Sequence, residues 1–325
     1  MLLDSFILNL INMRISVIIV TRNRMEDIRV SINGYLKQQY TDKEIIVIDN
    51  ASDDGTREMM LNEFPDIKYC WLPDNFDIRA INLGIEMSTG DIIWRTDSDS
   101  HPEKPDAFEK AVAIFNKYQD IHIISTENIE VRQNYTPWDW YPFAVDKVNV
   151  PEKGYKANFF PGTGAAIRRV VYDKIGGFWE FGFEELDFCT RAIAAGFSVR
   201  YFPNIRTLHY ASMRDRIYPD RWVQSSKQMI RYNWRYFPFF MAAGRTSQIF
   251  CFQLLIALLT RLPLTAIIEG AFSMLAVGLK TIRTERNIIP KEKIADVTLG
   301  VTVFRTQIRF FKQIIKNKMQ KCRKK

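Results

Sequence analysis

Three short apolar segments within the first hundred residues are separated by stretches of helical length. The segments Ile15–Val20, Glu44–Ile48 and Asp91–Trp94 are rich in β-branched side chains. Continuous apolar runs are typical of parallel strands that are buried on both faces. The intervening stretches predict helices at about 25–37, 55–64 and 76–87. This alternation of strand and helix predicts a doubly wound, Rossmann-like α/β sheet.

Polar clusters follow each of the three apolar segments. Residues 21–24 read TRNR, residues 49–56 read DNASDDGT, and Asp97-Ser98-Asp99 follows the third segment. A single cluster of this composition is usually a turn. Three clusters at the carboxyl edge of one sheet indicate a binding site, because doubly wound sheets bind ligands at that edge.

A second region, about 158–209, contains short apolar runs and an acidic turn, Glu184-Glu185-Leu186-Asp187. Gly162-Thr163-Gly164 precedes the apolar run 165–167. Glycine beside a strand permits the close approach of a ligand or another backbone.

The character of the chain changes after residue 235. Residues 236–279 are largely apolar, and their most apolar stretch, 249–268, is interrupted by Arg261 and Pro263. A membrane-spanning helix needs about 20 apolar residues with few charges. A re-entrant or interfacial helical hairpin is therefore favoured over a clean crossing.

An apolar stripe at helical spacing lies near the end of the chain. Arginine and lysine residues flank it, which is typical of a helix on a membrane surface. The alternative is a helix packed on its own domain, since apolar stripes commonly face a core. The stripe consists of Val301, Phe304, Ile308, Phe311 and Ile315.

The positive charge is concentrated in this same part of the chain. The 325 residues carry a net charge of +8, yet residues 271–325 alone hold 14 Lys and Arg against 3 Asp and Glu. The remainder is therefore slightly acidic, which argues against a nucleic-acid-binding body and for a tail that meets an anionic surface. The four cysteines are scattered, as in a reducing compartment without structural zinc.

The first residues, MLLDSFILNLINM, lack the basic start and the small-residue cleavage site of a signal peptide. Met13 directly precedes the first apolar segment, so translation from Met13 is a hypothesis. The expected organisation is an N-terminal extension at 1–13, an α/β domain at 14–235 and an apolar and basic helical region at 236–325.

Five motifs in order carry a family resemblance. They are ISVIIVTRNR, EIIVIDNASDDGT, NLGIEMSTGDIIWRTDSDS, FFPGTGAAIRRVVYDKIGGF and FGFEELDFCTRAIAAGF. Over about Arg14–His209 the chain resembles the inverting nucleotide-sugar glycosyltransferases of family 2, which have the GT-A fold. The resemblance implies a GT-A domain with a mixed sheet, to which the C-terminal helical membrane-associating region is added.

The resemblance also implies a donor site. Asp49 would accept the imide N–H of uracil or thymine, because a carboxylate is an acceptor only; the alternative is a capping role. Arg79 would assist the phosphates. The nucleotide-binding set implied is Thr21, Arg24, Asp49, Arg79, Asn82 and Asp97.

A divalent cation, Mn²⁺ or Mg²⁺, would neutralise the departing diphosphate as a Lewis acid. Both ions favour oxygen ligands, and phosphates and water complete their shells. By resemblance Asp99 is the direct ligand and Asp97 lies towards the ribose or the ion. His209 stands where family members place a further metal or phosphate contact, although a lone histidine is often structural.

The acidic turn would carry the chemistry. Direct displacement at the anomeric carbon needs a general base for the acceptor hydroxyl and inverts that centre. Family members show Glu-Asp with the aspartate as base, whereas here Glu185 occupies that position and Asp187 is the alternative. Gly162, Thr163, Gly164 and Glu184 would line the acceptor and donor-sugar side.

These expectations describe a metal-dependent inverting glycosyltransferase that moves a sugar from a UDP- or dTDP-sugar to a glycan or lipid-linked glycan. The expected setting is the cytoplasmic membrane face, in cell-surface polysaccharide synthesis, by family analogy. The alternatives are a non-catalytic, membrane-attached sugar-nucleotide-binding protein and a nucleotidyltransferase. The second is disfavoured, because the first loop, TRNRMED, lacks the glycines of a phosphate-binding loop.

Overall fold

The structure is a computed structural model that describes residues 12–132, 145–179, 182–211, 220–260 and 264–299. The chain divides into two compact units, Met1–Met213 and Arg214–Lys325. The apolar stripe at 301–315 and residues 1–11 lie outside the described residues.

One mixed sheet organises the first unit. Its strand order is β3-β2-β1-β4-β8-β6-β9-β5, with β7 paired to β9. The strands are β1 Ile15–Thr21, β2 Lys43–Asn50, β3 Lys68–Leu72, β4 Ile92–Asp97, β5 Ser100–Pro102, β6 Ile123–Glu130, β7 Tyr155–Ala157, β8 Ala165–Arg168 and β9 Val199–His209.

The first four strands are parallel and form the doubly wound half that the sequence predicts. β8 then runs antiparallel to both β4 and β6 and makes the sheet mixed. β1 is buried on both faces, as a continuous apolar run requires. Ile15, Val17 and Ile19 face one core cluster, which also contains Tyr35 and Trp94.

Helices cover the sheet at the predicted positions. The third expected helix differs, because a 3₁₀ turn at Asp77–Arg79 precedes it. Asp77 has a φ of 51°, outside helical backbone, so the α-helix begins at Ala80. The helices of the first unit are α1 Met25–Leu36, α2 Thr56–Glu63, α3 Ala80–Met87, α4 Ala107–Lys117, α5 Arg169–Ile175 and α6 Glu184–Ala194.

The second unit is helical. Its helices are α7 Asp220–Tyr236, α8 Phe239–Thr260, α9 Leu264–Thr284 and α10 Ile294–Thr298. Ile230, Ile249 and Met274, from three of these helices, share a small core. Because α7 packs on α8 and α9, it joins the second unit, and the contact-based boundary falls earlier than residue 235. Within the described residues, no helix combines the length and the apolarity needed to cross a membrane.

Candidate active site

The carboxyl ends of β1, β2 and β4 meet at one edge of the sheet. Thr21 is in register with Asp49, and Val20 is in register with Asp97. The three polar clusters predicted from sequence are therefore brought together. The first two loops are also tied to each other, since Asn23 accepts from the backbone N–H of Asp53 and donates its own to Ser52.

Asp97, Asp99 and His209 form a group whose ligand atoms lie within 4.8 Å of one another. Asp97 ends β4 and Asp99 lies in the turn that follows. His209 ends β9, where it pairs with Ser100 of β5. The short β5 strand therefore brings a histidine more than a hundred residues away next to the Asp-x-Asp turn.

The charges around Asp99 are balanced by cations. Nη1 of Arg24 lies 2.7 Å from Asp99 Oδ2, and Nε2 of His209 lies 3.4 Å from Asp99 Oδ1. Burial opposes ionisation of Asp99, but His209 and Arg24 outweigh it and lower the pKa of this carboxyl. Burial also opposes charging of His209, but Asp99, Asp97 and Glu130 raise the pKa of its imidazole. Arg24, predicted as a nucleotide contact, thus lies beside Asp99, the predicted metal ligand.

The donor set of this group fits a divalent cation. Two carboxylates and one imidazole offer hard oxygen ligands together with one nitrogen. Phosphate oxygens and water can complete such a partial shell. The group would therefore hold the cation that the Asp-x-Asp motif implies.

A buried arginine joins this group to the acidic turn. Arg95, on β4, is 3% exposed; its Nη1 lies 2.9 Å from Asp97 Oδ1 and its Nη2 lies 3.2 Å from Glu185 Oε1. Sequence reasoning did not single out Arg95. A signal was present, because an arginine in a buried apolar strand, two residues before Asp97, shares its face with that aspartate.

Gly162 lies directly against this charged cluster. A Cβ at this position would lie 2.2 Å from Arg95 Nη1, 2.7 Å from Glu185 Oε1 and 2.9 Å from Asp97 Oδ2. Any larger residue would push these groups apart. The glycine predicted to permit close approach therefore makes room for the cluster itself.

Glu185 is held in an environment that disfavours its charge. Burial is the main cause, and the neighbouring charges of Glu184 and Asp97 add to it, so the pKa of Glu185 rises to about 8. The positive charge of Arg95 opposes the rise in the pKa of Glu185. Arg95 shares this charge with Asp97, to which it is also paired. Burial likewise raises the pKa of Glu184, whose Oε2 accepts from the backbone N–H of Gly182 at 2.6 Å. A carboxyl poised near neutral pH is suited to proton transfer.

Asp187, the alternative base, forms an ion pair with Arg191. Its Oδ2 accepts from Arg191 Nε at 2.9 Å, one helical turn along α6. The same guanidinium donates to the carbonyls of Ile175 and Gly177. The pair thus fixes the start of α6 against the preceding loop.

The predicted nucleotide contacts have different surroundings. Asp49 is buried; its Oδ2 accepts from Tyr69 Oη at 2.6 Å and its Oδ1 from the N–H of Ser52 at 2.9 Å. Thr21 Oγ1 is buried and has no hydrogen-bond partner among the residues that the structure describes. Arg79 is exposed on the 3₁₀ turn.

Asn82 uses both ends of its amide on one backbone segment. Its Nδ2 donates to the carbonyl of Phe178 at 2.8 Å, and its Oδ1 accepts the N–H of Phe178 at 2.8 Å. This clamp fixes the loop before the acidic turn. Direct contact between Asn82 and a donor stays a prediction.

The segment 162–164 is fixed by its backbone. The carbonyl of Thr163 accepts from Thr96 Oγ1 at 3.1 Å and from Ser100 Oγ at 3.0 Å. A Cβ on Gly164 would lie 2.5 Å from Thr207 Cγ2, so the chain passes close to β9 here. These contacts place the segment beside the metal group.

The chain is similar to known glycosyltransferases. The model of glycosyl transferase family 2 matches residues 16–176. The probable glycosyltransferase YdaM of Bacillus subtilis (strain 168) is 28% identical over 221 residues, which cover 58% of this chain and 49% of the relative. The uncharacterized glycosyltransferase alr2836 of Nostoc sp. is 27% identical over 173 residues, 50% of this chain and 53% of the relative. The chain thus spans about half the length of these curated relatives.

Solved structures show the same fold. S. aureus TarS residues 1–349, in complex with UDP-GlcNAc, matches with a TM-score of 0.58 at 15% identity, over 95% of this chain and 92% of that one. The mannosyltransferase PcManGT from Pyrobaculum calidifontis, in complex with GDP-Man and Mn²⁺, matches with a TM-score of 0.51 at 18% identity, over 93% and 80%. The mixed α/β sheet is that of GT-A glycosyltransferases.

Proposed function

We propose, from the premise that this chain is a family 2-like glycosyltransferase, that it catalyses metal-dependent, inverting sugar transfer. The donor is a UDP- or dTDP-sugar and the acceptor is a glycan or a lipid-linked glycan. The observation that carries the proposal is the position of Glu185, a buried carboxyl joined through Arg95 to Asp97 of the metal group.

Glu185 is the general base in this proposal. Its carboxylate takes the proton of the acceptor hydroxyl while the hydroxyl oxygen attacks the anomeric carbon. The bond from that carbon to the nucleoside diphosphate breaks on the opposite side, so the anomeric centre inverts. Arg95 holds the carboxylate in position.

Asp99 and His209, with Asp97, would hold the divalent cation. When bound, the cation supplies Lewis-acid stabilisation of the negative charge on the leaving diphosphate. Arg24 lies at Asp99 and can add a second positive charge towards the phosphates. The single imidazole favours Mn²⁺ over Mg²⁺, because Mg²⁺ strongly prefers an all-oxygen shell.

Asp49 is proposed to bind the base. Tyr69 and Ser52 hold its two oxygens, and the residue is 0% exposed, so contact with an imide N–H requires Tyr69 to move aside. The assignment of uracil or thymine follows from the family resemblance. The nucleotides named for the similar solved structures, UDP-GlcNAc and GDP-Man, show that this fold accepts more than one base.

We further propose that the second unit attaches the enzyme to the cytoplasmic face of an anionic membrane during cell-surface polysaccharide synthesis. One row of α9 is apolar but faces outward, with Phe272 69% exposed. Exposed Lys280 and Arg283 follow this row, and the basic sequence 301–325 comes after them. An apolar row beside cations fits a bilayer surface with anionic headgroups. The row comprises Ile268, Phe272, Leu275 and Leu279.

A donor screen tests the transferase proposal. Detergent-solubilised full chain is incubated with UDP-, dTDP- and GDP-sugars and Mn²⁺ or Mg²⁺, and nucleotide release is measured. We expect release from a uridine or thymidine donor that needs the cation and is lost in Glu185→Gln and Asp99→Ala. If both variants keep wild-type turnover, the mechanism is wrong. Donor binding without turnover in the wild type would instead support a non-catalytic sugar-nucleotide-binding protein.

A further inference from the structure

We infer that Glu130 is a positioning residue that orients His209 towards the cation. The inference rests on the proposed metal-dependent function and adds a residue outside the Asp-x-Asp turn. Glu130 ends β6, in register with His209 at the end of the parallel strand β9. Their side chains therefore leave the sheet on the same face.

The two side chains face each other in a buried pocket. Nδ1 of His209 lies 2.8 Å from Oε2 of Glu130, and the side chains are 8% and 1% exposed. The pair does not meet hydrogen-bond geometry, and within the described residues neither atom has another hydrogen-bond partner.

The other carboxylate oxygen fixes Glu130 in place. Oε1 accepts from the backbone N–H of Ala211 at 3.2 Å, two residues beyond His209. Glu130 is therefore anchored to the same strand end that carries the histidine. A buried carboxylate oxygen is costly without a hydrogen-bond donor, and Nδ1 of His209 is the ring nitrogen that lies beside Oε2 of Glu130.

The arrangement sets the tautomer of His209. A proton on Nδ1 that points at Glu130 leaves the lone pair of Nε2 facing Asp99, whose Oδ1 lies 3.4 Å away. Metal-ligating histidines usually donate their second ring N–H to a carboxylate or a carbonyl, which fixes the ring and makes it a better ligand. Here Glu130 lies at Nδ1 of His209 and Asp99 lies at its Nε2, which is the same arrangement.

The chain also offers a matched control. Glu127 lies on the same strand and is also buried, but its Oε1 binds Lys147 Nζ at 2.6 Å. Three residues separate it from Glu130, so it leaves the opposite face of the strand. Glu127→Gln removes the same charge from β6 without touching His209.

Mn²⁺ affinity of the full chain tests the inference. The free-ion electron paramagnetic resonance signal is followed during Mn²⁺ titration, with and without UDP, for wild type, Glu130→Gln, Glu127→Gln, His209→Ala and the Glu130→Gln/His209→Ala double variant. We expect Glu130→Gln to weaken Mn²⁺ binding about 10- to 100-fold. Glu127→Gln should bind as the wild type does, and Glu130→Gln should cause no further loss once His209 is alanine.

Each other outcome overturns the inference. Unchanged Mn²⁺ affinity in Glu130→Gln, even with a lower melting temperature, means that the residue is only structural. An equal loss with and without His209 means that Glu130 acts by another route. Wild-type protein that binds Mn²⁺ in neither condition overturns the metal dependence as well, which separates that failure from failure of the Glu130 assignment alone.

Discussion

Arg95 and Glu185 form a buried ion pair, with Nη2 of the arginine 3.2 Å from Oε1 of the glutamate. The same guanidinium contacts Asp97, which belongs to the metal group. The guanidinium of Arg95 therefore joins the proposed base to the proposed metal site. A substitution at either carboxylate is expected to change the position and the pKa of the other, because both contact Arg95.

We expect Arg95→Met to lower kcat about 100-fold or more, since it leaves the Glu185 side chain, which is 13% exposed, without its cation. The kcat of Arg95→Lys should lie between those of the wild type and Arg95→Met, because a single ammonium cannot reach both carboxylates as the forked guanidinium does. Steady-state kinetics at saturating Mn²⁺ gives both values. Arg168→Lys is the control, since Arg168 is half-buried and, within the described residues, pairs with backbone carbonyls such as that of Ile121 and with the Phe115 ring but with no carboxylate. Equal kcat losses in all three variants would assign Arg95 a purely structural role.

Glu185→Gln should abolish transfer yet stabilise the fold at alkaline pH. Because the pKa of Glu185 is raised from 4.5 to about 8, the native state binds more protons than the unfolded state between these values. The free energy of unfolding therefore falls as pH rises through this window. Glutamine removes this penalty, so its melting temperature should exceed that of the wild type by a few °C at pH 8 and by less at pH 5. Thermal melts without divalent cation, at both pH values, provide the check.

The pH dependence of transfer should report the same group. A base must be deprotonated to act, so kcat/KM should rise with pH through neutrality and level off above about pH 8. Arg95→Met should move this rise to higher pH, because it removes the charge that opposes protonation of Glu185. A wild-type profile that is already flat from pH 6 would contradict the assignment of Glu185.

Asp187→Asn separates the structural carboxylate from the catalytic one. The substitution weakens the pair with Arg191, which also holds two backbone carbonyls of the preceding loop. We expect the free energy of unfolding to drop by about 1–3 kcal/mol while kcat at 20 °C keeps a measurable fraction of its wild-type value. Chemical denaturation and initial rates measure the two quantities. Complete loss of turnover in a folded Asp187→Asn protein would instead make Asp187 the base.

The outward row of α9 predicts binding to anionic vesicles. Phe272→Ser with Leu275→Ser should reduce co-flotation of the full chain with phosphatidylglycerol vesicles by about 10-fold, because it removes apolar area from the contact. Leu61→Ser is the control, since Leu61 is 58% exposed on the other unit. Unchanged flotation of the α9 variant would show that α9 does not contribute to vesicle binding. A change from dimer to monomer in light scattering would assign the row to self-association.

The sequence by itself determined strands β1, β2 and β4, the helices between them and the edge of the sheet where the candidate site lies. Ile15–Val20 and its counterparts form strands because continuous apolar runs can be buried only on both faces of a sheet. The polar clusters after them then converge, because parallel strands end at the same edge. These properties follow from neighbours along the chain, so a local pattern is enough to predict them.

Only the tertiary structure decided which side chains meet. Arg95 meets Glu185, and Glu130 meets His209, across dozens of residues of intervening chain. These pairings depend on strand register and on where α6 begins, which distant packing sets. The same packing tied Asn82 to Phe178 and brought Arg191 against the carbonyls of Ile175 and Gly177. A local pattern predicts the residue types of a site, but long-range contacts decide which of them act together.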